Sequence, residues 1–135
     1  STAVLIAALE EEEESLVSQA VISLGMLKDT QAIDLLGKIA LKRDPFSEPK
    51  DVVKEAIKAL GNIGDERCVP YLANILSRKV WLGKKANEEA RVLAAAALGM
   101  TGTPAAYTAI EKVRDDSSGD LFNACKRILD GRTRR

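Results

Sequence analysis

The side chains that most often carry out catalysis are scarce in this sequence. It contains no histidine, which removes the commonest general base and the commonest zinc ligand. Its glycines are spaced as helix stops and form no phosphate-binding loop. Carboxylates are numerous, but they fall at predicted helix caps and on predicted solvated faces. We therefore expect no catalytic residue, no metal, no cofactor and no enzyme activity.

Two aromatic side chains in predicted loops are more informative. Phe46 lies between two prolines, and Trp81 is the only tryptophan of the chain. Tryptophan is enriched among the residues that dominate protein interfaces, so Trp81 is a candidate anchor for a partner. Alternatively, Trp81 folds back and covers the apolar ends of neighbouring helices. The sequence leaves both readings open. Cations flank the two aromatic residues, at Lys42, Arg43, Lys50, Arg78, Lys79, Lys84 and Lys85.

The cysteines Cys68 and Cys125 indicate no redox or metal chemistry. Other copies of the internal repeat described below carry alanine at these places, for example Ala32 and Ala95. The two cysteines also occupy different helices of the repeat. We therefore expect buried small residues, because free cysteine often behaves as a small hydrophobic side chain.

These candidate residues must be positioned by a helix, turn and helix pattern that is clearest over residues 56–76, AIKALGNIGDERCVPYLANIL. Apolar residues recur there at steps of three and four, the spacing of one helix face. Gly61 and Gly64 are expected to let the chain leave the first helix. Asp65 is the expected N-cap of the second helix. Pro70, near the start of that helix, predicts an irregular first turn or a slight bend.

The same pattern occurs three times. Residues 20–40 and 94–113 repeat its alanine, Leu-Gly pair and cap, with Asp29 and Thr103 in the place of Asp65. The copies are 36 and then 38 residues apart. Self-similarity at such a period is typical of stacked helical repeats. The outer copies suggest a basal unit of 30 residues, so the two connections that contain Phe46 and Trp81 are insertions on one edge, side by side.

The pattern AxxxLGxxxD followed by an apolar helix resembles HEAT-like repeats, which occur in phycobilin lyase subunits and in bacterial scaffold proteins. Arg91 matches the arginine that members of the family often carry before the alanine. The resemblance implies an all-α, right-handed solenoid of stacked antiparallel helix pairs with about eight helices. It implies a fold rather than an activity, because the matching residues are packing and turn residues.

We predict one domain over residues 1–135, as part of a longer protein. Its predicted parts are the second helix of a truncated repeat, three repeats and a terminal helix, at 1–12, 13–42, 50–78, 87–115 and 118–131. The connection after the second complete repeat is expected to extend from Arg78 to Asn87. No apolar run is long enough to span a bilayer, and no signal peptide is recognised. We therefore expect a cytoplasmic location and no membrane contact.

The net charge is zero, but it changes along the chain. It is −4 over residues 1–50, −1 over 51–77 and +5 over 78–135. We expect a non-catalytic scaffold that binds a protein or peptide through the second helices, the inserted loops or both. The basic C-terminal half allows nucleic-acid binding as a less favoured alternative, and the resemblance allows a lyase-like or chaperone-like subunit acting on a tetrapyrrole protein. The predicted contact residues are Lys38, Phe46, Tyr71, Asn74, Arg78, Trp81, Lys84, Lys85 and Lys112.

Overall fold

The computed structural model describes residues 2–8, 14–43, 46 and 50–132. In these ranges the chain forms eight α-helices and no strand. The predicted all-α solenoid is therefore confirmed. The helices are α1 Thr2–Ala8, α2 Glu14–Leu27, α3 Ile33–Ala40, α4 Asp51–Ile63, α5 Val69–Ser77, α6 Lys84–Thr101, α7 Pro104–Asp115 and α8 Gly119–Arg132.

The helices pack in two layers. Helices α2, α4, α6 and α8 contact one another in that order, and α3, α5 and α7 contact one another on the other side. Helix α1 packs on α2. The core between the layers consists of aliphatic side chains, alanines and the two cysteines. Because antiparallel helices alternate in direction, the turns within the pairs lie at one edge and the connections between pairs at the opposite edge.

The turns within the pairs follow the predicted chemistry. The Asp29 and Asp65 carboxylates accept hydrogen bonds from the backbone N–H groups of Gln31 and Arg67. Each aspartate begins a short 3₁₀ turn before α3 or α5. The irregular start expected near Pro70 is therefore present before α5, but α3 begins in the same way without a proline. Thr103 caps α7 in the same way through the N–H of Ala106. Side-chain oxygens thus satisfy donors that the helix starts leave without partners.

The expectation that Gly61 leaves the helix is wrong. Gly64 makes that exit, in the left-handed conformation with φ of 68°. Gly61 is buried inside α4, where a Cβ atom would lie 2.9 Å from the Cα atom of Ala97 on α6. Gly25 approaches Ala59 in the same way, with a corresponding distance of 2.8 Å. These glycines allow the first helices of neighbouring pairs to pack closely. The spacing of glycines in the sequence does not distinguish such a packing position from a helix stop.

Predicted and observed boundaries also differ at the second connection. We expected it to extend to Asn87, but α6 begins at Lys84. Gly83 has the left-handed conformation, with φ of 71°, and ends the connection. The backbone N–H of Asn87 donates to the carbonyl of Gly83, which is a helical hydrogen bond, so Asn87 lies inside the first turn of α6 and not in the connection. Residues 1 and 9–12 of the predicted first segment, residue 13 of the next predicted part, and residues 44, 45 and 47–49 of the first connection lie outside the described ranges.

Replacing Gly61 by alanine tests the close packing of α4 on α6. We expect Gly61→Ala to lower the free energy of unfolding by about 1–3 kcal/mol, the usual cost of overpacking. At a helix position with free space, alanine is more favourable than glycine by about 1 kcal/mol. A loss of stability would therefore indicate close packing, and a gain would indicate free space. The measurement is urea unfolding followed by circular dichroism. Gly131→Ala in α8 is the matched control, because an added Cβ there meets nothing within 4 Å, and it should stabilise slightly or not at all. Equal effects of the two changes would refute the packing role.

Candidate functional site

The two inserted connections meet at one edge of the solenoid. One Nη atom of Arg43, in the first connection, donates a hydrogen bond to the backbone carbonyl of Leu82 in the second. The described part of this surface, called the loop edge below, consists of Lys42, Arg43, Phe46, the connection 78–83 and the first helical residues Lys84 and Lys85. The expectation that the two insertions lie side by side holds at this contact.

The second connection is fixed at its start by Asn87. The Nε atom of Arg78 donates to the Asn87 side-chain oxygen at 2.6 Å, and the Asn87 amide nitrogen donates back to the Arg78 carbonyl at 2.8 Å. Asn87 itself is buried, with 3% exposure. The buried amide of Asn87 thus both donates to Arg78 and accepts from it, and this double contact holds Arg78 in one position.

Arg91 joins the end of α5 to α6. Its Nε atom donates to the carbonyl of Leu76 at 2.7 Å, and its Nη1 atom lies 2.6 Å from a carboxylate oxygen of Glu88. The side chain is 7% to 8% exposed. Leu76 is in the last turn of α5, where carbonyls have no partner inside the helix. Arg91 therefore satisfies a helix end directly beneath the connection 78–83.

A third contact ties the connection to the next repeat. The Lys79 ammonium pairs with the carboxylate of Asp116, which follows α7. This hydrogen bond and the positive charge of Lys79 lower the pKa of Asp116. Arg78, Lys79 and Leu82 are thus each held by a different element, Asn87 of α6, Asp116 beyond α7 and Arg43 of the first connection. We conclude that the connection 78–83 is anchored at both ends.

Trp81 projects from this anchored connection. It is 86% exposed, so the reading in which it covers apolar helix ends is wrong. Phe46 is 85% exposed in the first connection. Burying a tryptophan on folding is favourable, so a large exposed indole on a fixed backbone contributes little to the stability of this chain.

The charge at the loop edge is mainly positive. Lys84 and Lys85 occupy the first turn of α6, where the helix dipole disfavours cations. Both are exposed, and neither forms an ion pair within the described ranges. Arg78 is less accessible: burial lowers the pKa of its guanidinium, and the positive charges of Arg43 and Arg91 lower this pKa further.

The remaining predicted contact residues lie on the second helices. Lys38, Asn74 and Lys112 are exposed on α3, α5 and α7 respectively. Tyr71 is instead engaged within the chain, since its ring packs against Gly37 of α3 and its hydroxyl donates to the Asp34 carboxylate at 2.7 Å. Arg78, Trp81, Lys84 and Lys85 lie in the second connection and the first turn of α6, Phe46 lies in the first connection, and the other four residues lie on the second helices.

Sequence reasoning missed Asn87 and assigned no role to Arg43 or Arg91 in holding the connections. A signal for two of them was present. Asn87 and Arg91 are four residues apart and lie on the same face of α6 as the buried Ala94 and Leu98. Polar residues on the apolar face of a helix indicate buried side chains with hydrogen-bond partners elsewhere in the fold. Arg43 gave no such signal, because its partner is a backbone carbonyl of a distant loop.

The described part of the chain offers neither a metal-binding cluster nor a reactive thiol. No set of three histidine, cysteine or acidic residues there is arranged to hold a metal ion. Cys68 and Cys125 are free and buried, and burial raises the pKa of Cys68 to about 11. A thiol with a raised pKa is a poor nucleophile at neutral pH. No helix in the described ranges has the length and apolar character needed to cross a membrane.

Comparison with known families agrees with this architecture. The family model of HEAT repeats matches residues 2–86, and the model of the PBS lyase HEAT-like repeat matches residues 90–116. The chain therefore belongs to the HEAT repeat proteins, as the resemblance implied. No curated protein matches the chain in sequence. The HEAT repeat fold is typically non-catalytic and generally mediates protein interactions.

The anchoring role of Asn87 is testable by its removal. Asn87→Ala deletes both hydrogen bonds to Arg78. The Nε atom and the carbonyl of the half-buried Arg78 then lose these partners. We expect the free energy of unfolding to fall by about 1–3 kcal/mol, measured by urea unfolding. Asn74→Ala is the matched control, because Asn74 is exposed on α5 and should change stability by less than about 0.5 kcal/mol. Indistinguishable stabilities of the two variants would contradict the anchoring role.

Proposed function

We propose that this chain is a non-catalytic interaction module that binds a partner protein through the loop edge. The observation that carries this proposal is the combination of an 86% exposed Trp81 with a connection held by Asn87, Asp116 and Arg43. An exposed aromatic residue on a fixed backbone has already lost the conformational freedom that binding would otherwise cost. Tryptophan anchors of this kind dominate the binding energy of many interfaces.

The surrounding cations suit the rim of such an interface. Lys42, Lys84 and Lys85 are exposed around the aromatic residues, where charges increase association rates and favour partners of opposite sign. The exposed residues Lys38, Asn74 and Lys112 extend the proposed contact onto the second helices. Tyr71 and Arg78 support the surface from beneath through their bonds to Asp34 and Asn87.

Nucleic-acid binding through the same edge is a less favoured alternative. Trp81 among cations has the composition of a stacking platform for unpaired bases. However, Lys79 is paired with Asp116 and Arg78 is half-buried, which leaves fewer cations for phosphates. The two alternatives differ in salt dependence, because a complex based on phosphate contacts weakens steeply with added salt. The PBS lyase repeat match covers one repeat and by itself supports no reaction.

Replacing Trp81 by alanine tests the proposal. We expect Trp81→Ala to lower the capture of partner proteins from nuclease-treated native lysate at least tenfold, because a central indole contributes about 2 kcal/mol or more. Quantitative mass spectrometry measures the capture. Stability should not change, since the side chain is exposed.

Met26→Ala is the matched control. Met26 is also a large exposed side chain, at 74%, and it lies near the end of α2, at the edge opposite the connections between pairs. The control should retain the partners captured by the unchanged chain. Equal capture by the Trp81 and Met26 variants would refute the loop edge as the binding surface. Capture that occurs in untreated lysate and is lost in nuclease-treated lysate would favour nucleic acid.

A further inference from the structure

A second surface lies on the layer of first helices. Helices α4, α6 and α8 enclose an open groove of about 1380 Å³, with α6 as its floor and α4 and α8 as its walls. The partly buried side chains of Val92 and Leu93 contribute apolar surface to the floor. The groove is distinct from the exposed side of the second helices and from Trp81.

Its charged lining is not balanced. Lys54 pairs with Glu89 across α4 and α6 at 2.8 Å. Glu88 pairs with Arg91, and Lys58 with Glu55. Lys85 on α6 and Lys126 and Arg127 on α8 are exposed and form no ion pair within the described residues.

The carboxylates of the groove are largely engaged. The two on the floor, Glu88 and Glu89, have the ion-pair partners just named. Asp120 lies in the first turn of α8, where the helix dipole stabilises a negative charge. Asp130, near the end of α8, also has a contact within the chain. A ligand therefore meets the apolar side chains of Val92 and Leu93. Within the described residues, three cations and the Asp120 carboxylate border them without an ion-pair partner, so the unpaired charge is mainly positive.

From this arrangement we infer that the groove binds an acidic amphipathic segment of a partner protein, with aliphatic side chains on Val92 and Leu93 and carboxylates against Lys85, Lys126 and Arg127. Laying the apolar face of such a segment into a groove is a recurrent mode of peptide recognition. Lys85 and Leu93 are eight residues apart on α6, or about 12 Å, so the segment makes its contacts over about two helical turns.

A selection from a random library of 12-residue peptides displayed on phage tests this inference with the full chain as the target. The expected peptides combine a negative net charge with aliphatic residues three or four positions apart. The most enriched peptide is then labelled with a fluorophore, and its affinity is measured by anisotropy. Recovery of no binding peptide, or of peptides without net negative charge, would overturn the inference.

Two double variants locate the site. Lys126→Glu with Arg127→Glu should weaken binding of the labelled peptide at least tenfold. Lys38→Glu with Lys112→Glu makes the same change in net charge on the second helices and should leave the affinity within twofold. Lys126→Gln with Arg127→Gln provides a milder test of the same residues if the charge reversal unfolds α8. Equal weakening by the α8 and second-helix variants would overturn the proposed location.

The same measurements separate this inference from the loop edge and from other occupants. Trp81→Ala should leave peptide affinity unchanged, because Trp81 does not line the groove, although Lys85 belongs to both surfaces. A fluorescent 12-nucleotide single strand that binds more tightly than the peptide, and loses binding in the α8 variant, would instead assign the groove to nucleic acid. Self-association that the α8 variant abolishes in light scattering would assign it to a second copy of the chain.

Discussion

The close approach of neighbouring first helices is the constraint on which the rest of the structure depends. Gly25 faces Ala59, and Gly61 faces Ala97, with no room for a Cβ atom on either glycine. Small residues at these places set the spacing of the first-helix layer. Packing at near-crystalline density transmits this spacing to every side chain between the layers. The positions of the second helices, and of the connections between pairs, follow from it.

The edge with the inserted connections is organised by polar contacts rather than by apolar packing. Asn87 and Arg91 lie on one face of α6 and hold the end of α5 and the start of the connection 78–83. Because buried polar groups are costly when left without partners, these residues fix one conformation of the backbone. The fixed backbone then presents Trp81 to solvent. The core thus supplies rigidity to a segment that contributes little to the core.

The repeat architecture was predictable from sequence because periodic apolar residues and caps act locally. Asp65 and Thr103 begin their helices as expected, since an N-cap needs only the next two or three residues. The role of Gly61 was not predictable in the same way. Its Leu-Gly context fits both a helix exit and a close contact, and only the position of Ala97 on another helix decides between them.

The candidate site was predictable only where local patterns identify its residues. Sequence composition identified Trp81 and its flanking lysines, and the repeat period placed both insertions on one edge. The exposure of the indole was left open, because it depends on contacts between residues far apart in sequence, such as Arg43 with Leu82. The engagement of Tyr71 by Gly37 and Asp34 depends on the stacking of α3 and α5. Local patterns do not report such contacts.

Nuclear magnetic relaxation of the backbone amides of residues 78–83 tests most directly whether Trp81 is displayed on a fixed segment. An anchored connection predicts order parameters near those of the flanking helices, about 0.85, together with an indole N–H that exchanges rapidly with water. Order parameters below about 0.6 across the connection would show that Asn87, Arg43 and Asp116 do not hold it. A slowly exchanging indole would contradict the exposed position of Trp81.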